Sequence, residues 1–274
     1  MFNFLESLLY GFISGCSEIL PISAEAHRSI MHKLFGSDSR IPLMDLFIHL
    51  ALLVAVFYCC RSYITRLLRE NRASGKSRRA TYTAQGFHEM RLLKTIAIPM
   101  VIGIGLRFLT TGLNSNLLLV AVFLLINGAI LLLQDHLPYG NKSAGKLSGL
   151  DAIITGLLSA LSVFPGFSRN GIMLSYSIIR GGDRSSVVNW ILVLMIPALI
   201  AMCIMDIIAI IMIGFGITSF LGFLYCVLAS ITAFIGGYLA IRVIRILSMQ
   251  TGFGFFAYYC VGAALFSLAL YLIS

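Results

Sequence analysis

The sequence predicts an all-α integral membrane protein formed by an inverted repeat, in which each half holds a re-entrant helical hairpin and three transmembrane helices. Of the 274 residues, 59% are hydrophobic and only 11% are charged, whereas a soluble domain carries roughly a quarter charged residues. Two apolar runs are interrupted by proline, at Pro21 and at Pro165, and similar residues surround both interruptions. We therefore predict one membrane domain, with residues 1–134 as the first repeat and 149–274 as the second, inverted repeat.

The distribution of basic residues explains the net charge of +9 without a nucleic-acid partner. Segment 61–94 carries nine Lys and Arg residues against only Glu70 and Glu89. Short loops rich in Lys and Arg stay in the cytoplasm. We therefore expect the loops at 61–94, 135–148, 180–184 and 242–250 to lie on the inner side.

Each proline-interrupted segment predicts a hairpin that enters and leaves the membrane on one side. A spanning helix needs about 20 apolar residues, but residues 1–34 break at Pro21 and residues 150–179 break at Pro165. Broken helix at membrane depth is tolerated where it is buried in protein or lines a cavity. The alternative is an ordinary spanning helix followed by a polar loop. The six predicted spans are 43–60, 92–109, 117–133, 187–213, 220–241 and 255–273.

An internal repeat supports the hairpins. Glycine and three serines recur with the same offsets in both halves, as Gly11, Ser14, Ser17 and Ser23 and as Gly156, Ser159, Ser162 and Ser168. With one hairpin and three spans, each half crosses the membrane an odd number of times. The second half is therefore inverted relative to the first. Inverted repeats whose broken helices meet at the midplane are typical of transporters, and the same geometry equally suits an intramembrane enzyme.

The two hairpin tips predict an anion-binding site. Ser23 and Ser168 stand where N-caps are expected, just before two short helices. Helix N-termini attract phosphate, and the guanidinium of Arg169 matches phosphate oxygens. The ligand is therefore expected to have an anionic head group and a lipid tail. The predicted phosphate-binding residues are Gly166, Ser168, Arg169, Asn170 and Gly171.

The first tip also carries groups suited to phosphoryl chemistry. His27 lies one helical turn after Ser23, so that the two can share a face, and it suits a nucleophile or a proton shuttle. Glu18 and Glu25 flank the proline and are predicted to hold a divalent cation, Mg²⁺ or Ca²⁺, against a diphosphate. The predicted catalytic residues are Glu18, Ser23, His27 and Arg169.

Four further ionisable residues have less specific interpretations. Asp45 and His49 lie one turn apart and suit either a supporting role beside the site or a helix-end role. Arg107 is expected to extend to the outer membrane surface. Asp206 is expected to form a polar contact with a neighbouring helix.

The two motifs resemble the undecaprenyl pyrophosphate phosphatase family, the bacitracin-resistance type, and the resemblance covers essentially the whole chain. The first motif reads Glu18-Ile-Leu-Pro-Ile-Ser-Ala-Glu-Ala-His27, against the family pattern E-F-L-P-[IV]-S-S-x-x-H. The second reads Pro165-Gly-Phe-Ser-Arg-Asn-Gly171, against P-G-x-S-R-S-G. The resemblance implies a multi-pass enzyme of the bacterial inner membrane whose site opens to the outer side. The implied reaction removes one phosphate from a polyprenyl diphosphate, with a divalent cation, to recycle the lipid carrier of cell-wall synthesis.

Several motif positions depart from the family pattern. Ser14 replaces an acidic or amide residue, Ala24 the serine proposed as nucleophile, Asn170 a second serine and Met173 a threonine. Because Ala24 cannot attack phosphorus, hydrolysis here requires His27 or an activated water. The alternatives are a translocase (flippase) and a non-hydrolytic binder of polyprenyl phosphate. Each alternative has a polyprenyl lipid and the bilayer as partners and is compatible with a homodimer.

Overall fold

The computed structural model describes residues 2–36, 41–74, 81–113, 116–137, 140–143, 146–250 and 252–273, and helices joined by short turns make up most of them. Five of the helices below, α3, α5, α8, α9 and α10, contain stretches long and apolar enough to cross a membrane. The predicted all-α class is therefore confirmed, and the chain is a multi-pass membrane protein. The α-helices are α1 (Phe4–Ile19), α2 (Ala24–Leu34), α3 (Pro42–Ser74), α4 (Thr81–Gly105), α5 (Leu117–Asp135), α6 (Gly149–Ser159), α7 (Arg169–Ile179), α8 (Arg184–Ile213), α9 (Phe220–Gln250) and α10 (Gly254–Ile273).

The predicted span at 92–109 is the one that differs most from the observed helices. It occupies the second half of α4 and passes into a 3-10 helix at Leu106–Leu113. Pro99 lies inside α4, where it removes one backbone hydrogen bond. Glu89, Arg91 and Lys94 bring charge close to this apolar stretch, and α4 is not among the five helices above.

The basic segment 61–94 is not the loop that the sequence predicted. Residues 61–74 continue α3, and residues 81–94 belong to α4. Arg and Lys have high helix propensity, so a segment rich in them extends a helix beyond its apolar part. The remaining basic residues of the segment, Lys76, Arg78 and Arg79, lie outside the described residues, as do parts of the predicted loop at 135–148.

The first interrupted segment forms two short helices, α1 and α2. With 16 and 11 residues, they extend roughly 24 and 16 Å, less than the hydrocarbon thickness of about 30 Å. Helix α1 ends at Leu20, whose ψ of 158° is extended, because a residue before proline is disfavoured in the helical region. Ser23 then caps α2 by accepting a hydrogen bond from the Ala26 N–H at 3.4 Å.

The second interrupted segment has the same design. Helix α6 has 11 residues and passes into a 3-10 helix at Ala160–Val163, and α7 again has 11 residues. Between them Gly166 adopts a φ of 118°, and a Cβ there would lie 2.8 Å from the Val120 carbonyl oxygen. Only glycine fits this backbone and this close approach. The inverted relation between the two halves remains a prediction.

Helix α1 packs closely along α9. A Cβ added at Gly11 would overlap the Ala229 carbonyl oxygen, and one added at Gly15 would overlap that of Ala233. Small residues on facing helices let two backbones approach closely in a membrane protein. This contact fixes the first limb of the first hairpin against a spanning helix and thereby sets the position of its tip.

Candidate active site

The two hairpin tips are in direct contact, as the sequence predicted. The Gly166 N–H of the second tip donates a hydrogen bond to Ser23 Oγ of the first at 3.1 Å. Asn170 Nδ2, in the first turn of α7, donates to the carbonyl oxygens of Glu18 at 3.0 Å and Ile19 at 2.9 Å. These bonds satisfy carbonyl groups that the end of α1 leaves free.

A third helix joins the tips through Asn127 of α5. Its Nδ2 donates to the Pro21 carbonyl oxygen at 3.0 Å, and its Oδ1 accepts from the Ser168 N–H at 3.0 Å. The sequence interpretation missed this residue. The signal was present, because Asn127 is the one strongly polar side chain in the apolar run 117–133, and polar residues at membrane depth are costly unless they are bonded.

Ser23 has a strained backbone at the contact between the tips. Its φ is 67°, and it is the one non-glycine residue with positive φ in the described part of the chain. Such a conformation costs of order 1–3 kcal/mol and is held only where the surroundings fix it. The bond from Gly166 and the cap of α2 hold Ser23 in place, so that the geometry of this tip depends on the other.

Five ionisable side chains form a buried charge cluster beside the tips. Glu18 accepts from Arg28 Nη2 at 2.7 Å with one oxygen and from Arg169 Nη2 at 2.8 Å with the other. Glu25 Oε1 pairs with Arg28 Nη1 at 2.5 Å and also with Arg107. Three arginines therefore pair with two carboxylates in the cluster, and the Asp45 and Asp206 carboxylates also act on Arg28.

The position of Arg107 differs from the sequence expectation. It does not extend to the membrane surface but turns inward and pairs with Glu25. Its side chain is 21% exposed. The physical reason is the buried carboxylate of Glu25 on α2, a long-range partner that sequence spacing does not reveal.

Methionine sulfur atoms, which are weak acceptors, face Nη groups of Arg107 and Arg169. The Met202 sulfur lies 3.7 Å from Arg107 Nη1 and 4.0 Å from Arg169 Nη1, and the Met195 sulfur lies 3.5 Å from Arg169 Nη2. Arg169 Nε has no hydrogen-bond partner among the described residues. A thioether is a poor acceptor, so an anionic oxygen entering the site would replace it readily.

A cavity of about 30 Å³ lies between the tips and the charge cluster. It is large enough for water, which requires roughly 10–15 Å³ by the same measure. Arg28 is not part of its wall, because Glu18, Glu25 and His49 surround its guanidinium. The residues that line the cavity are Ser17, Glu18, Ala24, Glu25, Ile104, Arg107, Ser162, Phe167, Ser168, Arg169 and Asn170.

His27 does not face this cavity. Its Nδ1 lies 2.8 Å from the Ser23 carbonyl oxygen, and its Nε2 lies 2.7 Å from the Tyr259 hydroxyl of α10. The two rings stack with centroids 5.6 Å apart and planes at 10°. Both imidazole nitrogens therefore bond to groups outside the charge cluster. The spacing between Ser23 and His27 did not predict this orientation. No sequence signal pointed to Tyr259, because an aromatic residue in a membrane helix is common.

His49 and Asp206 form a second polar pair that supports the cluster. His49 Nδ1 lies 2.5 Å from Asp206 Oδ2, and its Nε2 lies 3.1 Å from Arg28 Nη2. Since Arg28 can only donate, Nε2 is the acceptor and Nδ1 carries the hydrogen. The expected contact of Asp206 with a neighbouring helix is confirmed. Asp45 accepts from the Tyr10 hydroxyl at 2.9 Å and lies beside this pair rather than in the cluster.

A resident divalent cation does not fit these side chains. Within the residues that the structure describes, no group of three or more His, Cys, Asp or Glu side chains converges as metal ligands do. Both oxygens of Glu18 and one oxygen of Glu25, the two residues expected as ligands, are bonded to arginine. Ser14 is fully buried and offers a hydroxyl where a carboxylate would be required.

A larger, mostly apolar cavity of about 180 Å³ adjoins the first. The two cavities share Ile104 and Arg107 in their walls. Met202, which contacts both arginines of the small cavity, also lines the large one. A ligand that spans the two would therefore place a charged end at the arginines and an apolar end among methionine and isoleucine side chains.

The chain is similar to known proteins over nearly its whole length. The family model described as "Bacitracin resistance protein BacA" matches residues 7–266. A relative from Thermosipho melanesiensis is 27% identical over 266 residues, which cover 96% of this chain and 98% of the relative. Relatives from Alkaliphilus metalliredigens (26% identical; 93% and 94% covered) and Methanobrevibacter smithii (27%; 94% and 94%) are comparably similar. All three relatives are named undecaprenyl-diphosphatase.

Proposed function

This chain belongs to the bacitracin resistance protein BacA family, and on that premise we propose that it hydrolyses undecaprenyl diphosphate, or a similar polyprenyl diphosphate, to the monophosphate. The observation that carries the proposal is the buried cluster in which Arg107 and Arg169 present donors to a cavity between two helix N-termini. The names of the relatives supply the reaction, and the cluster supplies the chemistry that would recognise its substrate.

The cluster suits a diphosphate head group. The guanidinium groups of Arg107 and Arg169 line the cavity, and guanidinium groups bind phosphate oxygens in pairs. The N-termini of α2 and α7 add positive dipole ends at the same place. Because Arg107 and Arg169 now contact methionine sulfur, a phosphate can bind without breaking a strong hydrogen bond.

The adjoining apolar cavity suits the first part of a polyprenyl chain. Its volume of about 180 Å³ is small beside a whole lipid, so the rest of the chain would extend into the bilayer. Arg107 stands between the two cavities. The boundary between the head group and the polyprenyl chain would therefore lie beside this residue.

The arginines would also stabilise the transition state. Phosphoryl transfer passes through a loose transition state in which catalysis is mainly positioning and charge stabilisation. Arg107 and Arg169 would take up the negative charge that develops on the leaving polyprenyl phosphate. We place the protein in the bacterial inner membrane with the site accessible from the outer side, as its likeness to the family implies. The basic segments on either side of the second hairpin favour an inner position for the ends of that hairpin.

Phosphate release by the purified protein in proteoliposomes tests this function. The substrate is a polyprenyl diphosphate, measured with Mg²⁺, with Ca²⁺ and with a chelator. Arg169→Lys should lower release by about 10²-fold or more, since lysine cannot reproduce the planar fork. The control is Arg91→Lys at an exposed position of α4, which should keep the activity. No release under any of these conditions would overturn the proposal.

A second candidate function is translocation of a polyprenyl phosphate without hydrolysis. It is motivated by Ala24, which lacks the nucleophilic hydroxyl. It is also motivated by the Glu18 and Glu25 carboxylates, which are already paired with arginine. It predicts Arg169-dependent movement of the lipid between leaflets, with the lipid recovered chemically unchanged. Phosphate release at the rate of lipid movement would exclude it.

A further inference from the structure

The side chains around the small cavity leave the nucleophile to water. Ala24 has no reactive group, and the Ser17 hydroxyl donates to the Ser14 carbonyl oxygen at 3.3 Å. Ser162 also lines the cavity, but none of the described carboxylates or imidazoles is bonded to its hydroxyl. Ser168 Oγ accepts from the Gly171 N–H at 3.1 Å, and none of the described carboxylates or imidazoles is bonded to it. His27 is engaged with Ser23 and Tyr259. On the premise of the proposed hydrolysis, the attacking oxygen therefore comes from water in the cavity.

A water that attacks phosphorus needs an acceptor to orient it. Arg107 and Arg169 can only donate hydrogen bonds, so they bind phosphate but cannot point a water lone pair at it. The Glu18 and Glu25 carboxylates are held in ion pairs. The cavity wall is therefore rich in donors, and its two carboxylates are already paired with arginine.

Asn170 supplies one such acceptor. Its two Nδ2 hydrogens go to the Glu18 and Ile19 carbonyl oxygens, which fixes the orientation of the amide because only nitrogen can donate to them. Its Oδ1 has no hydrogen-bond partner among the described residues, although Asn170 is only 3% exposed. Buried polar atoms are normally bonded, and Asn170 lines the cavity.

We propose that Asn170 is a catalytic residue whose Oδ1 accepts a hydrogen bond from the attacking water and turns the water's lone pair toward the terminal phosphorus. The proposal rests on the proposed hydrolysis and names a residue for it. It also connects two departures from the family motifs. The first tip lacks a hydroxyl at Ala24, and the second tip has a longer, acceptor-bearing side chain at Asn170.

The step balances without a further reactant. The water oxygen forms a bond to the terminal phosphorus, and the bond from that phosphorus to the bridging oxygen breaks. The electron pair stays on the bridging oxygen, which leaves as polyprenyl phosphate beside Arg169. One water hydrogen is held by Asn170 Oδ1 and remains on the new phosphate, while the other moves to a non-bridging oxygen of the same phosphoryl group. Little base assistance is required, because the transition state is loose.

The test compares two Asn170 variants with two asparagine controls. Asn170→Ala removes the whole amide, and Asn170→Ser leaves a shorter side chain that does not place an acceptor at the same point. Asn127→Ala removes a similar bond between the tips, but its Oδ1 is already used by the Ser168 N–H. Asn189→Ala removes an amide on α8 that bonds only within its own helix at 3.0 Å.

The readouts are kcat, KM, the Kd of farnesyl methylenediphosphonate as a non-hydrolysable diphosphate, and the thermal midpoint. We expect both Asn170 variants to lower kcat by about 100-fold with the Kd of the analogue unchanged within about twofold. Asn127→Ala should lower stability, with activity and analogue binding falling together. Asn189→Ala should retain kcat and the Kd.

Three results would overturn the proposal. They are a kcat within about threefold of wild type in a folded Asn170 variant, a loss of activity that parallels a loss of analogue binding, and a covalent phosphoenzyme in wild-type protein. The phosphoenzyme is measured by rapid quench of wild-type protein with a substrate labelled in its terminal phosphate. This measurement tests the proposal even if neither Asn170 variant folds. Absence of label from the protein supports the proposal. An inactive wild type overturns the proposed function as well, whereas an active wild type with active Asn170 variants overturns this inference alone.

Discussion

Glu18 Oε1 and Arg169 Nη2 lie 2.8 Å apart, although 151 residues separate them in the chain. The contact joins the end of α1 to the beginning of α7. The second oxygen of the same carboxylate holds Arg28, so Glu18 orients two guanidinium groups at once. The position of Arg169 in the anion site therefore depends on Glu18, whereas Arg107 pairs with Glu25.

We expect Glu18→Gln to destabilise the protein and to impair phosphate release. Removing one partner of a buried ion pair costs about 3–5 kcal/mol because the other charge stays buried. The measurement is thermal unfolding in detergent together with phosphate release. Glu70→Gln is the matched control, since its pair with Arg66 is at 3.8 Å and largely solvated and contributes about 0–1 kcal/mol. Equal stability of the two variants would show that Glu18 is not held as described.

We expect Met202→Leu to tighten the binding of inorganic phosphate. The exchange removes the sulfur that Arg107 and Arg169 contact, so phosphate no longer competes with it, and the gain should be about threefold. The volume is nearly conserved, so the loss of stability should stay below about 1.5 kcal/mol. The inhibition constant of phosphate measures the effect. Met205→Leu, which changes another methionine of the large cavity, should leave this constant unchanged, and weaker binding in Met202→Leu would contradict the prediction.

Ala24→Ser should give the protein a covalent phosphoenzyme that the wild type lacks, and should raise phosphate release. Ala24 lines the cavity, so the new hydroxyl would face a bound phosphate and act as a nucleophile. Trapping of labelled phosphate on the protein measures this directly. If neither wild type nor Ala24→Ser carries label and the two release phosphate at the same rate, a hydroxyl at position 24 does not reach the phosphorus.

Ser14→Glu, by contrast, should destabilise the fold. The Ser14 side chain is fully buried, and its Oγ has no hydrogen-bond partner among the described residues. A carboxylate there would be an uncompensated buried charge, which costs about 3–5 kcal/mol. The thermal midpoint in detergent measures the loss. A midpoint equal to that of wild type would mean that a cation or another donor reaches position 14.

Gly15→Ala should weaken the packing of α1 on α9. The added Cβ would overlap backbone atoms of Ala233, and overpacking of this kind costs about 1–3 kcal/mol. Gly262→Ala is the matched control on α10, where a Cβ meets nothing within 4 Å and alanine gains up to about 1 kcal/mol of helix propensity. The two variants should shift the thermal midpoint in opposite directions.

The features that were predictable from sequence are those that follow from local pattern. Apolar runs predicted the membrane class, proline positions predicted where α1 and the α6 segment end, and Ser23 and Ser168 were correctly expected as caps. The recurrence of glycine and serine predicted that the two tips would meet. Each of these depends on neighbouring residues and on the cost of exposing polar groups in lipid.

Long-range partners were not predictable. Arg107 was expected at the surface because sequence spacing cannot show that Glu25 lies within its reach. Glu18 and Glu25 were expected to bind a cation because the sequence cannot show that Arg28, Arg107 and Arg169 pair with these carboxylates. His27 shares a helix with the site, but its ring stacks on Tyr259 of α10 and does not line the cavity.

Asn127 couples the positions of the two hairpin tips to the tilt of α5. One amide on α5 bonds to the first tip at Pro21 and to the second at Ser168, and α5 has 19 residues, about 28 Å, close to the thickness of the hydrocarbon layer. A helix of matched length tilts when the surrounding lipid thins. Lipids with shorter acyl chains would thus tilt α5 and move both hairpin tips together, through a residue that lies outside the cavity itself.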